Sequence, residues 1–554
     1  MTEFNLSLVF DTVARAVPDR EVLVWRDRRI TYEHMNHRIR SIAGYLVARG
    51  LGAHTGRHHL QGHESGQDHV GLYLRNGNEY LEAMVAAYRA RAVPFNVNYR
   101  YVEEELSYLL TDANTQALIY HAEFAPQVAA IRHQLPALRT LIQVADASSN
   151  ELLAGAVDYE SIVAANSDVV IPMPQPTGDD LFMLYTGGTT GMPKGVLWRQ
   201  DDIFMSSMGG TPFIGDPFET YDDIARTALA GDGAWTLLVL PPFMHGAAQW
   251  SAFHTITNGG RIVLPDNVER LVPADVIRVA EREGVTGLPV IGDAMLRPLI
   301  DEIEKHPNSR PTISVVTNGG AALTPAVRER LRKALPQTVV IDSVGSSESG
   351  TQAHHTYTDD ESADSEPLFI PLADTAVLND SKSGVLPPGG GAGWLARRGR
   401  IPLGYLGDQR KTAAAFPEIE GHRWAVAGDR AVSLADGQIQ LLGRDSLTVN
   451  SGGEKIFVEE VERAMAFHPD IRDVVVVGRP SQRWGSEVVA LVALAADSTA
   501  TDAELIAECQ RHVARYKLPK AILRCETIIR SPSGKADYRW AAEHATNRPS
   551  PTSP

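Results

Sequence analysis

Only two cysteines, Cys509 and Cys525, occur in the 554 residues, and neither stands in a CxxC pair. A disulfide framework is excluded, and two isolated thiols fit a reducing compartment. Long apolar runs are missing too. The longest, such as VVALVALAA from Val488, fall short of the ~20 residues that a membrane helix needs. The first residues, MTEFNLSLVFDTVARAVPDR, carry acids early and have no apolar stretch of the signal-peptide kind. Positive charge is in deficit: 52 Lys and Arg stand against 68 Asp and Glu, a formal net charge of -16. Such a chain lacks the basic footprint of a nucleic-acid binder and the polybasic patch of a membrane anchor. These absences place it in the cytoplasm, with at most peripheral membrane contact for an apolar substrate. A site for an anionic nucleotide must then rest on local donors and cations rather than on the overall field.

What is present is ordinary globular composition, 44% hydrophobic and 22% charged, in a chain long enough for several domains. Short β-branched runs alternate with helix-like stretches. HVGLYLRN reads as a buried strand before the helical EYLEAMVAAYRAR. DLFMLYT, GVLW, RIVLP, VTGLPVI, ISVVTNGG and TVVIDSVG read as further strands, with ADVIRVAEREG and PAVRERLRKAL as helices among them. This pattern predicts an α/β fold with a buried, partly parallel sheet. From about Arg444 onward EEVERAMAFHPD, DVVVVGRP, EVVALVALAA and DAELIAECQRHVARY predict a separate small α/β unit. SGVLPPGGGAG, Ser383 to Gly393, reads as a loop, because no strand precedes its glycines. The histidine-rich segment with His54, His58, His59, His63 and His69 reads as a solvated insertion, its glycines breaking any helix that could align metal ligands.

The most informative stretch is TGGTTGMPKG, Thr186 to Gly195. Gly187, Gly188 and Gly191 allow tight turning and close approach of backbone N–H groups to an anion. Thr186, Thr189 and Thr190 add hydroxyls, and Lys194 adds a point charge. Such a loop can wrap a triphosphate. It is no Walker A loop, since Pro193 occupies the position of the glycine before the lysine.

YTGGTTGMPKG resembles the phosphate-loop signature of the adenylate-forming superfamily, which includes acyl-CoA synthetases, luciferases and peptide-synthetase adenylation domains. Further motifs of that family follow in order across nearly the whole chain: NGGAAL, DSVGSSESG, GYLGDQRKT, AGDRA, GRDSLTVNSGGEK and SPSGKADYRW. The resemblance implies a large N-terminal domain of layered sheets and helices, residues 1–443, and a small mobile α+β C-terminal domain, residues 444–545, before a disordered tail at 546–554. It implies Gly320, Ala321 and Ala322 beside the adenine, Ser347 at the α-phosphate, Glu348 on magnesium and Asp429 on the ribose. Thr186 in the phosphate loop, Arg444 and the catalytic Lys535 complete the nucleotide site. Val344 stands where relatives carry an aromatic. The hinge falls on Ser446, where many relatives have Asp or Lys, and Gly452 and Gly453 would let a loop approach CoA.

PPFMHGAAQW resembles the segment bordering the acyl pocket, which implies His245, Gly246 and Trp250 there, with Met208 and Gly209 as further walls. The small residues Gly209, Gly210, Gly246, Ala247 and Ala248 suggest room for a bulky apolar acid. The wording of several motifs resembles actinobacterial-type synthetases for long-chain and steroid side-chain acids. The expected activity is ATP-dependent ligation of such a carboxylate to CoA through an acyl-adenylate, with ATP, CoA and Mg2+ required and a homodimer allowed. A medium-chain or aryl acid ligase shares the same motifs. A non-catalytic nucleotide or acyl-binding module would have lost the loop or Lys535, and a serine hydrolase is disfavoured because GSSESG lacks GxSxG spacing.

Overall fold

The computed structural model describes residues 2–165, 172–186, 192–212, 215–231, 233–306, 311–358, 366–451, 454–481, 485–531 and 534–547. The chain forms two compact units. The first comprises Met1–Pro289, Ser309–Ile313 and Gly399–Pro417; the second comprises Val290–Asn308, Ser314–Arg398 and Glu418–Pro554.

In the first unit, the strands Val93–Asn96, His69–Tyr73, Thr115–His121, Thr140–Val144 and Ala156–Asp158 lie side by side in that order, all parallel. The strands His69–Tyr73 and Thr115–His121 are buried at every position, as a parallel sheet covered on both faces requires. The expected helix after the first of these runs Asn78–Arg89. A second group orders Arg28–Thr31, Glu21–Trp25, Arg261–Val263, Thr236–Leu238 and Gly287–Val290, parallel after its first pair. The helix Pro273–Glu283 shows why its boundaries are legible: proline opens it, and Gly284 closes it at φ 62°.

The second unit opens with Val315–Gly319 parallel to Val339–Ser346. Antiparallel pairing then takes over through Gly350–Tyr357, Leu368–Pro371, Ile439–Arg444, Asp429–Ser433 and Gly391–Arg398. Its C-terminal portion is a three-stranded sheet in which Gly485–Leu494 pairs antiparallel with Ile471–Ser481 and parallel with Ala521–Arg524. Alternation along these strands sorts the core into two halves. Val474, Val476, Val488, Ala490 and Val492 face the helices Val458–Met465 and Asp502–His512, whereas Val475, Val477, Val489 and Leu491 face the helix Tyr538–Asn547 through Ala541 and Ala545. Near-continuous valine runs are thus explained by helices on both sides of the sheet. Each buried valine contributes ~1.5–3 kcal/mol relative to exposure.

Two local expectations change. The glycine-rich stretch is a loop only up to Gly390, because Gly391 begins a strand whose Gly393 sits against the Leu378 carbonyl, where no Cβ would fit. The histidine-rich segment is not a uniformly solvated insertion. His54 Nε2 lies 2.7 Å from Asp68, and His69 is a buried strand residue whose ring bonds Ser65 and the Ala113 carbonyl. Among the described residues no group of three or more His, Cys, Asp or Glu is placed to hold a metal, and no helix is long and apolar enough to cross a membrane. Neither Cys509 nor Cys525 is in a disulfide, and burial pushes the Cys509 thiol up to about 12.

Candidate active site

The two ends of the phosphate-loop motif lie on paired antiparallel strands. The strands Leu181–Thr186 and Lys194–Arg199 pair in register, with Thr186 opposite Lys194. Gly187, Gly188, Thr189, Thr190 and Gly191 lie outside the described residues. The Lys194 ammonium sits 5.2 Å from the centre of the Tyr405 ring, so the GYLGDQRKT motif supports this strand pair. Asn96, which motif reading passed over, braces it on the other side. Its side chain accepts from the Tyr185 N–H at 2.7 Å and donates to the carbonyls of Tyr185 and Met244 at 2.9 and 2.7 Å. One buried amide thereby ties the residue before Thr186 to the residue before His245.

His245 is half-buried and precedes the helix Gly246–Thr257, which carries Trp250. A Cβ on Gly246 would lie 2.8 Å from Leu184 and 3.3 Å from the Trp250 ring. A Cβ on Gly209 would lie 2.9 and 3.0 Å from Thr257 and His254, and one on Gly210 would lie below 3.0 Å from Met205 and Phe204. Met208 and Ala248 are fully buried. Gly209, Gly210 and Gly246 thus serve close packing against their neighbours. The Trp250 indole N–H is buried with no hydrogen-bond acceptor among the described residues.

In the second unit the strand Val315–Gly319 ends in a turn at Gly320, φ 79°, followed by Ala321 and Ala322. Buried Asn318 shapes this turn. It accepts from the Gly292 N–H at 2.7 Å and donates to the Ala321 carbonyl and to Asp342, both at 2.8 Å. Burial pushes the Asp342 carboxyl up to about 6, partly offset by Asn318 and Tyr357. Ser347 and Glu348 form the tip between Val339–Ser346 and Gly350–Tyr357. Val344 packs against the cluster of Ala353, Phe369, Val377 and Leu395.

Asp429 and Arg444 face each other on adjacent strands, with Nε 3.2 Å from Oδ1. Asp429 holds the Arg444 guanidinium above its ordinary pKa, against the cost of burial, with Glu348 and Glu459 adding to it. Glu459 enters because Gly443, φ 121°, has no side chain: a Cβ there would lie 2.4 Å from the carboxylate. Burial and then the Asp429 charge raise the Glu459 carboxyl.

Lys535 reaches this same place. Its Cε lies 3.4 Å from where a Gly320 Cβ would be, and the Gly534 backbone abuts the Ile291 carbonyl. The lysine retains exposed surface, yet protein atoms crowd its ammonium. Partial desolvation, then repulsion from Arg444, draws its pKa below the ordinary lysine value, and Glu348, Asp429 and Glu459 oppose that. Five sequence-predicted residues, Gly320, Glu348, Asp429, Arg444 and Lys535, are therefore brought together. Ser446 lies exposed in the short turn Asp445–Leu447; Gly452 and Gly453 lie outside the described residues.

Behind Lys535, Glu462 accepts from the Val476 N–H at 2.8 Å and from the Tyr538 hydroxyl at 3.0 Å. Burial, and then Glu459, push its carboxyl from 4.5 up to about 8, although Val476, Tyr538 and Arg530 favour the anion. Between those two values the folded state keeps a proton that the unfolded chain releases, so this group's contribution to stability falls as pH rises through the window. Glu462→Gln is expected to raise the melting temperature of the second unit at pH ~8 and to change it little at pH ~5. Calorimetry showing an equal shift at both pH values would overturn the assignment.

Comparison with known proteins gives the family. The family model described as AMP-binding enzyme matches residues 10–406, and that of the AMP-binding enzyme C-terminal domain matches residues 460–535. The chain is 56% identical over 549 residues to the medium-chain acyl-CoA ligase Mig of Mycobacterium avium, covering 99% of each chain. It is 35% identical over 553 residues to a 3-oxocholest-4-en-26-oate–CoA ligase of Rhodococcus rhodochrous, covering 98% of this chain and 96% of that one. In fold it is similar to the anthranilate CoA ligase AuaEII in complex with anthranoyl-AMP, with a TM-score of 0.81, 18% identity and coverage of 99% and 98%. ATP-bound MatB from Rhodopseudomonas palustris superposes with a TM-score of 0.79 at 19% identity, covering 98% of this chain and 99% of that one. The chain therefore belongs to the AMP-binding enzyme family, with a large N-terminal and a small C-terminal domain, and is an AMP-forming acyl-CoA synthetase.

Proposed function

We propose that this synthetase activates a medium-chain fatty acid, with Lys535 as the catalytic cation of adenylation. The observation carrying the catalytic reading is the convergence of Lys535 with Gly320, Glu348, Asp429 and Arg444. A carboxylate oxygen attacks the α-phosphorus of ATP, the bond to pyrophosphate breaks, and a mixed anhydride forms. Two anions must approach, and charge builds on the phosphoryl oxygens; a fixed ammonium offsets both. Thr186, Thr189, Thr190, Lys194 and the loop glycines hold the polyphosphate, Gly320 to Ala322 border the adenine, Ser347 contacts the α-phosphate, and Asp429, steadied by Arg444, binds the ribose.

Glu348 is the carboxylate suited to magnesium, which commonly takes one or two protein carboxylates and completes its shell with phosphate oxygens and water. Magnesium would neutralise phosphate charge there. In the second step the CoA sulfur attacks the acyl carbon and AMP leaves, with the small domain, residues 444–545, turning about Ser446 so that the loop at Gly452 and Gly453 meets CoA. The cytoplasm supplies both co-substrates, and membrane contact is at most peripheral; a homodimer is an assembly to be read from sedimentation.

The medium-chain reading is supported by the named activity of the 56% identical relative and by the filled glycine positions around His245 and Trp250. A steroid side-chain or long-chain acid is the second reading, favoured by the relatives near 35% identity. The test is AMP release with and without CoA on straight-chain acids of graded length beside steroid and aryl carboxylates. The highest kcat/KM is expected for a medium-chain acid, with AMP release dependent on CoA. A steroid acid preferred by about tenfold, ~1.4 kcal/mol of transition-state binding, would reverse the substrate assignment.

A further inference from the structure

We propose that Arg530, clamped by Asp473, is a positioning residue that sets the reach of Lys535 during adenylation. The inference rests on the catalytic reading of Lys535. Arg530 Nε and Nη2 lie 2.8 and 2.6 Å from the two oxygens of Asp473, a bidentate fork, and Nη1 donates to the Gly534 carbonyl at 3.0 Å. The guanidinium thus joins the carbonyl immediately before Lys535 to the strand Ile471–Ser481, which is fixed in the small sheet. Backbone bonds close the same turn: Ser531 N–H donates to the Lys535 carbonyl at 2.7 Å, and Asp537 N–H to the Ile529 carbonyl at 3.1 Å.

A lysine has four rotatable bonds and no planar fork, so its own side chain does little to fix where the ammonium stops. Placement must come from the backbone that launches it. Gly534, φ 75°, brings that backbone close to the Ile291 carbonyl, and Arg530 ties it to the small sheet. The Asp473 clamp is the costly part to disturb, because a planar guanidinium and a planar carboxylate define an angle as well as a distance. Nearby Glu462 and Tyr538 belong to the same support, the tyrosine lying on the helix that follows Lys535. Displacement of a catalytic group by ~1 Å can cost about a hundredfold in rate.

The test uses the full chain and separates the half-reactions. Octanoate-dependent pyrophosphate release without CoA reads adenylation, and thioester formation from synthetic octanoyl-adenylate and CoA reads the second step. Arg530→Gln and Asp473→Asn are expected to slow the first by ~10- to 100-fold, chiefly in kcat, and to leave the second near the parent rate. Arg530→Lys, which keeps the charge and loses the fork, should fall between. In a Lys535→Ala background, Arg530→Gln should add nothing. Parent-like adenylation in these variants overturns the proposal, as do equal losses in both half-reactions or failure of all three to fold, since each points to a purely structural role. Unimpaired adenylation in Lys535→Ala alone is a different failure, that of the catalytic reading.

Discussion

Lys535→Ala is expected to slow acid-dependent pyrophosphate release by about a hundredfold or more while thioester formation from a supplied acyl-adenylate stays close to the parent rate. Removing one preorganised donor or charge from such a site costs ~3 kcal/mol of transition-state stabilisation, which at room temperature is about two powers of ten. The asymmetry follows from what the charge does. It opposes repulsion between a carboxylate and a phosphate, and that repulsion belongs to the first step only. The lowered pKa of Lys535, caused by desolvation and Arg444, adds a pH signature: adenylation should decline at a lower alkaline pH than an ordinary lysine would give, because the ammonium is lost as pH rises past its pKa. Lys535→Arg should abolish that decline while remaining slow. Equal rates for parent and Lys535→Ala in the first half-reaction would remove Lys535 from the chemistry.

Arg38→Met is expected to destabilise the first unit by ~3–5 kcal/mol, the usual cost of stranding one partner of a buried ion pair. Arg38 donates from Nε to Glu82 at 2.8 Å and holds Glu160 through both terminal nitrogens at 2.9 and 2.7 Å. Glu82 is fully buried, and burial already pushes its carboxyl upward against the pull of Arg38. Without the guanidinium it would keep only Asn78 and the Tyr159 hydroxyl. The interaction joins the helices Tyr32–Ala48, Asn78–Arg89 and Tyr159–Ala165, so its loss loosens three elements at once. Urea unfolding should show the loss, and Glu82→Gln combined with Arg38→Met should recover much of it, since the stranded charge is then gone. A single-variant loss under ~1 kcal/mol would mean that water or relaxation takes over the role of Arg38.

The motifs of the proposed nucleotide site were legible because each is local. A triphosphate needs successive N–H groups, hydroxyls and a cation within a few residues, and the sequence from Thr186 to Lys194 carries residue types suited to that in one stretch. Gly320 marks a left-handed turn at the end of a strand, which glycine enters without strain. Near-continuous valine runs in the small sheet point to two covered faces. Asn318, Glu459 and Arg530 were not legible in the same way. An isolated asparagine, glutamate or arginine in a sequence is most often a solvated side chain. Each acquires its role from partners brought near by the fold: Gly292 and Asp342 for Asn318, the bare Gly443 for Glu459, Asp473 for Arg530. At the glycines around the acyl segment, composition records how little volume a residue takes and not which neighbour lies against it.

The sequence alone pointed to the chemistry through resemblance: the ordered phosphate-loop, adenine-turn, acidic-tip and terminal-lysine motifs match those of the adenylate-forming superfamily, and each is legible because it is a short run of residues. The tertiary structure decided how those pieces are held and how closely the acyl elements pack. Asn96 bonding Tyr185 and Met244, Leu184 lying against Gly246, and the Asp473 fork on Arg530 all join residues far apart in the chain. Such contacts are set by dense packing of the whole core, where one side chain's volume fixes its neighbour's position, and no local spacing encodes that.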